Sequence, residues 1–262
     1  MASPYPALLR ARLRSQTAYR TSFALDLLAN LGIGLLELAE VYVVFTNVPQ
    51  LGGLEVRQAM LVFALSNIAF SLADLSCGHL DALPTYLRAG TLDAMLLRPL
   101  PVLAQLVTSD VSLKRLGRTV VALCVAAYAL PAVDWTPLHV LLALTTVLAG
   151  TVVFASLFLC AAALQFWVLD GGEAANAFTY GGSYVAQFPS SVLHVVLRSF
   201  FTYVVPAAFV AYLPALELLG LPTPSGVPDW SVWCSPVMAL LLAGVSLRWW
   251  GAGVRHYTGG GG

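Results

Sequence analysis

The sequence predicts an all-α, polytopic membrane protein of six transmembrane helices with a short helix in its longest loop. The first observation is composition: 59% of the 262 residues are hydrophobic and only 10% are charged. An average soluble domain carries about 25% charged residues, so there is too little charge here to cover a soluble surface. The second is arrangement, because the apolar residues gather into stretches near the roughly 20 that cross a bilayer core as a helix. The third is periodicity. Runs such as 140–150 do not alternate apolar and polar positions, as barrel strands would, and a helix satisfies its own backbone hydrogen bonds in lipid.

Taken in order, residues 1–22 hold Pro4, Pro6, Arg10, Arg12, Arg14 and Arg20. They read as an interfacial segment lying on the membrane, too long and polar for a secretory signal; a merely basic leader is the plainer alternative. The membrane domain is predicted over 23–258, with spans at 23–48, 57–77, 116–133, 138–159, 192–213 and 232–250. The glycines at 259–262 read as a flexible tail. The connections at 49–55 and 134–137 are turns, and the one at 214–230, with four prolines, reads as a small cap.

Lys and Arg set the orientation. The leader arginines, then Arg88, Arg98, Lys114, Arg115 and Arg118, then Arg248 and Arg255, all fall on one side if both termini are cytoplasmic. Only Arg57 falls outside, and Arg198 lies within the fifth span. The long segment 79–117 is then cytoplasmic. Within it Gly90 ends one helical turn, and Thr91 is placed as the cap of a new one with Asp93 in its first turn. That helix runs through Leu92, Leu96 and Leu97 until Pro99 and Pro101 disfavour it. Two readings stay open for it: an amphipathic connector resting on headgroups, or a knob that another cytoplasmic protein grips.

Several chemistries have no residues to carry them. The single lysine, Lys114, has no glycine-rich loop before it and no Ser/Thr after it, so it is not a phosphate-cradling loop. The four cysteines and four histidines are dispersed, without metal-ligand spacing, and isolated cysteines act as small hydrophobes. No serine sits in a nucleophile elbow. No catalytic set and no metal site is therefore predicted, and zero net charge gives no bulk field for a nucleic acid.

The expensive residues are the acids within the spans, since a charge at the bilayer centre costs at least about 2.5–3.5 kcal/mol on insertion scales. Asp26, Asn30, Ile33, Glu37 and Glu40 share one helical face, and Asn67, Ser71 and Asp74 repeat the pattern in the second span. In the fifth, His194, Arg198 and Thr202 share a face ahead of Pro206, a predicted kink. Asp26, Asp74 and Arg198 are expected in the inner third, as a neutralising ion pair or triad. Glu37 and Glu40 are expected in the outer half with no basic residue at their depth, lining a subunit interface or a pathway.

Three strings then carry a resemblance. Residues 86–100, from Tyr86 to Leu100, contain R-x-G-x-L-D-x-x-L-x-R-P; residues 187–189 and 201–215 repeat a Pro-containing fifth span; and 249–257 close with G-x-x-x-Y. Together they resemble the bacterial permeases of type-2 ABC exporters. The resemblance implies a transport subunit, not an enzyme, forming half of a translocation pathway in the bacterial cytoplasmic membrane. It implies two copies of a separate ATPase, which would bind ATP and Mg, and a second permease, either a related chain or another copy. It also implies that Arg88, Gly90, Thr91, Leu92, Asp93, Leu96, Leu97, Arg98 and Pro99 form the coupling segment that docks on that ATPase. Asp26, Asn30, Glu37, Glu40, Asn67, Asp74, Arg198, Thr202 and Pro206 are the candidates for the pathway or subunit interface. The competing expectation from the residues themselves is a proton- or sodium-coupled secondary transporter using the intramembrane acids.

Overall fold

The computed structural model describes residues 20–109, 113–168 and 172–259, without the side chains of 114 and 172–175. Most of the segment expected at the interface, 1–22, and the end of the glycine tail lie outside the described residues. Among the described residues every regular element is helical. The first two helices are α1 (Arg20–Asn47) and α2 (Val56–Cys77); a 3-10 turn then leads to the short α3 (Leu83–Arg88), α4 (Thr91–Leu96) and α5 (Val102–Ser109). After these come α6 (Leu116–Ala129), α7 (Pro137–Leu164), α8 (Gly172–Ala186), α9 (Val195–Tyr203), α10 (Ala207–Val210), α11 (Tyr212–Leu218) and α12 (Ser235–His256).

Local chemistry starts the long helices where the turns predict. Glu55 and Gln58 close a capping box on α2, satisfying orphan backbone donors at both residues. Thr136 caps α7 by accepting from the His139 backbone N–H, with Pro137 in the first turn, where its missing N–H costs nothing.

The bundle is a row in which α1 packs on α6, α6 on α2, α2 on α7, and α7 on α12, with α8 and α10–α11 laid along α7. Its core is centred on α2 and α7, where Phe63, Phe70, Phe154 and Phe158 are fully buried. Gly117 sets the closest approach. A side chain there would come within 2.6 Å of the Leu27 carbonyl and 2.7 Å of the Leu31 nitrogen, so only glycine lets α6 lie on α1. The outward faces are apolar: Leu25, Leu28 and Leu36 on α1, Leu141 and Leu148 on α7, and Leu240 and Leu241 on α12 are all exposed. Water would not tolerate so large a contiguous apolar surface; lipid does.

Four segments are long and apolar enough to cross a membrane: Arg20–Asn47, Val56–Arg88, Pro137–Leu164 and Ser235–His256. Leu116–Ala132 is apolar but shorter, and Val195–Tyr203 with Ala207–Leu218 forms a pair bent by 62°. The kink expected at Pro206 is present, and it divides the expected fifth span, 192–213, into a bent pair. Pro206 supplies no N–H, and its ψ of 50° leaves the helical region, so the ladder breaks there.

Contacts fix which end each piece occupies. Ser191 Oγ donates to the Gly52 carbonyl at 3.1 Å, placing the entry to α9 at the far end, away from α3–α5. Val205 then meets Gly182, and Val210 meets Gly150 and Ala69 near the middle of α7 and α2. Leu218 ends beside the turn that leads into α12, whose Ser235 Oγ donates to the Phe209 carbonyl. The pair α9–α11 therefore dips in and returns to the end it left. At the motif end, Trp167 stacks on His256 and Phe166 packs on Trp250. The chain changes ends between Trp167 and Ser191, and α8 is the helix that makes this passage.

Candidate functional site

Two clusters collect the residues that the sequence singles out. The first is a polar cavity of about 540 Å³ between α1, α2, α6 and α8, lined by Asn30, Glu37, Asp74, Arg115, Arg118 and Tyr180, with Ser183, Tyr184 and Gln187 along α8. Arg118 grips Glu37 in a two-point pair, its Nε donating to Oε2 at 3.0 Å and its Nη2 to Oε1. Its guanidinium also lies 4.6 Å from the centre of the Phe70 ring. One arginine thereby ties α6 to both α1 and α2. Arg115 donates to the Asp74 carboxylate and, at 2.8 Å, to the Asp74 carbonyl. Tyr180 Oη donates to Asp81 at 2.8 Å, and Tyr184 sits beside Glu40.

This geometry corrects two expectations. Asp74 pairs with Arg115, not with Asp26 and Arg198: Asp26 is exposed on α1, and Arg198 lines a separate cleft on the re-entrant pair. Glu37 does have a basic partner at its depth. The reason is length, since 28 residues make α1 about 42 Å long, well beyond the roughly 30 Å core. Its first turns run past the start of α6, which brings Glu37 level with Arg118. Asn67 is buried and donates to the Phe63 carbonyl on its own helix, and Pro206 is buried at the bend. Neither lines the polar cavity.

Charge balance limits what the cavity receives. Its two acids and two arginines are matched, so it offers hydroxyl, amide and paired-ion surfaces without net charge. Sequence reasoning missed Arg115 and Arg118, read as loop residues, and the α8 face. A signal existed for the latter, since Tyr180, Ser183, Tyr184 and Gln187 fall at i, i+3, i+4 and i+7, one face of a helix.

The second cluster is the motif segment. Gly90 has a φ of 64°, a backbone state that glycine adopts without strain, and it is the residue from which α4 departs. Thr91, expected as the cap, instead donates its hydroxyl to the Tyr86 carbonyl at 3.3 Å. Leu92 is fully buried. Gln105 on α5 donates to the carbonyls of Met95 and Leu100, both at 2.9 Å, fixing the C-terminal end of α4. Asp93 faces Tyr257, whose phenol is pushed above its ordinary pKa by burial and by that carboxylate. Two of the three resembling strings, the R-x-G-x-L-D stretch and the closing tyrosine, thus meet in space. Outside this framework Leu96, Leu97, Arg98 and Pro99 are exposed, Leu97 at 87%.

A helical bundle with lipid-facing leucines, a charge-matched polar cavity and a rigid knob at one end is a multi-pass membrane transport subunit. The chain belongs to the ABC-2 transporter family: the family model described as ABC-2 family transporter protein matches residues 31–261. It is the permease component of an ABC transporter, a family that works with an ABC ATPase. No curated protein and no solved structure matches it.

Proposed function

We propose that this chain is the permease of an ATP-driven exporter in a bacterial cytoplasmic membrane, with both termini and α3–α5 on the cytoplasmic side. It crosses the membrane six times, α8 being the fifth crossing. Two such permeases, identical or related, enclose the pathway, and each docks one of two ATPase copies that bind ATP and Mg. The observation that carries this reading is the α4 knob: an exposed Leu96–Leu97–Arg98–Pro99 tip on a helix whose other side is buried and bonded. Adjoining apolar side chains held exposed on a rigid support mark an interaction surface. Motion of that partner on ATP binding would then bias a two-state bundle. Asn30, Glu37 and Asp74 contribute the cavity wall of one permease, while Asp26 and Glu40 lie on exposed parts of α1.

The test is assembly. Leu97→Asp leaves the folded chain unchanged, because the side chain is almost wholly exposed, yet abolishes co-purification of the ATPase and ATP-dependent transport. If the variant assembles and transports normally, the knob is not the docking site. The ion-coupled alternative is less well supported, because Glu37 and Asp74 are held by arginines. Transport that collapses with proton or sodium ionophores while ATP persists would revive it.

A further inference from the structure

Arg198 stands apart from the paired charges of the polar cavity. Glu37, Asp74, Arg115 and Arg118 neutralise one another, whereas Arg198 meets no carboxylate at ion-pair distance among the described residues. A half-buried guanidinium that turns from lipid into a cleft leaves its donors aimed at whatever acceptor enters there. Its neighbours on α9 show which way it turns. Val195, Val196 and Leu197 are exposed toward lipid, while Arg198 turns inward to a cleft of about 120 Å³ at the far end of the bundle.

The cleft is lined by hydroxyls: Ser190, Ser199, Thr202 and Tyr203 surround Arg198, and the turn at 224–227 closes it. Ser190 is 9% exposed and Thr202 8%, and neither hydroxyl has a hydrogen-bond partner among the described residues. Both hydroxyls stay open to the cleft and free to bond a ligand. Asp229, two residues past the closing turn, accepts from Thr223 at 2.6 Å and does not line the cleft. By its share of liquid volume the space would hold on the order of four waters, the scale of one tetrahedral oxyanion and not of a whole solute. A guanidinium beside several hydroxyl donors, with no acceptor-only group, is a phosphate-binding set.

We infer that the Arg198 cleft binds a phosphate-bearing group at the far face of the membrane, where the re-entrant pair α9–α11 turns in. The group is either a phospholipid head from the adjoining leaflet or a free phosphate of the same chemistry. The inference stands apart from the ATPase reading, since binding is measured on the full chain alone, without nucleotide or transport.

The experiment is native mass spectrometry of the purified chain in detergent, offered phosphatidylglycerol or diacylglycerol, which share tails and differ in the phosphate. A parallel thermal-shift titration uses inorganic phosphate. The wild-type chain retains phosphatidylglycerol over diacylglycerol, and Arg198→Gln lowers that retention by about tenfold or more, the loss of one or two charge-assisted hydrogen bonds. Arg57→Gln, at the same face but seated over the Tyr128 ring, leaves it unchanged. Phosphate-dependent stabilisation that Arg198→Gln removes, without a phosphatidylglycerol preference, assigns the site to the free ion. Should Arg198→Gln fail to fold, Thr202→Val keeps the charge and is expected to weaken retention severalfold. Equal retention and equal phosphate response in wild type, Arg198→Gln and Thr202→Val would overturn the inference.

Discussion

Replacing Glu37 with Gln leaves the volume of the side chain but removes the charge that answers Arg118. Both side chains are only about one-seventh exposed, at 13% for Arg118 and 15% for Glu37. Removing one partner of a buried pair costs about 3–5 kcal/mol. The pair lines a polar cavity, where water relieves part of the penalty, so the low end, about 3 kcal/mol, applies. The same arginine lies over Phe70 and keeps that contact, which further argues against the upper figure. For a chain of this size the change corresponds to a fall in melting temperature of roughly 6–12 °C. Arg118→Gln should cost as much or more, since it also loses the ring contact. The double variant should recover much of the loss, because no uncompensated charge remains. The assay is melting of detergent-solubilised protein across the four members of this cycle at fixed protein concentration and scan rate. Single effects that add without recovery, or a Glu37→Gln variant as stable as wild type, would refute the claim that this pair ties α1 to α6 and α2.

Three further outcomes follow from particular contacts. Gly117→Val drives a side chain into the α1 backbone at Leu27 and Leu31, where no side chain can yield. It should destabilise by at least about 1–3 kcal/mol, visible as faster proteolysis between α1 and α6. Gln105→Leu removes two hydrogen bonds to carbonyls at the end of α4. At about 0.5–1.5 kcal/mol each, α4 should exchange its amide hydrogens faster while α2 and α7 do not. Tyr257 has a folded pKa raised by burial and by Asp93. Its contribution is therefore complete below the ordinary tyrosine value of about 10 and lost as pH rises through the higher folded value. Wild type should lose stability relative to Tyr257→Phe only in that alkaline range, as followed by melting from pH 8 to 11.

The sequence made the long, strongly apolar helices legible, and α1, α2, α7 and α12 lie close to their predicted ranges. It also located α4 to within a residue, because Gly90 and Pro99 mark a local start and stop. What it hid was the path between α7 and α12. Hydropathy favours 192–213 over 172–186, because Gly172, Glu173, Asn176, Gly181 and Gly182 dilute the earlier segment. Yet α8 makes the passage between the two ends, and the more apolar stretch folds back on itself. Composition reports burial in lipid or protein without saying whether a chain crosses. Only Ser191 meeting Gly52 and Val205 meeting Gly182 decide that.

The charges follow the same logic. Counting basic residues by loop places Arg115 and Arg118 at the end that carries the motif segment, and says nothing of how far their side chains reach inward. An arginine side chain spans several ångströms, and Arg115, just ahead of α6, and Arg118, in its first turn, reach Asp74 and Glu37. Of the two acids expected to lack a basic partner, Glu37 is thus answered by Arg118, while Glu40 sits beside Tyr184. Arg198 has no such carboxylate among the described residues. Its re-entrant pair begins and ends at the opposite face, and Asp74 lies toward the motif end. Glu37, Asp74, Arg115 and Arg118 are matched against one another, whereas the site proposed at Arg198 would be completed by a ligand and not by a neighbouring side chain.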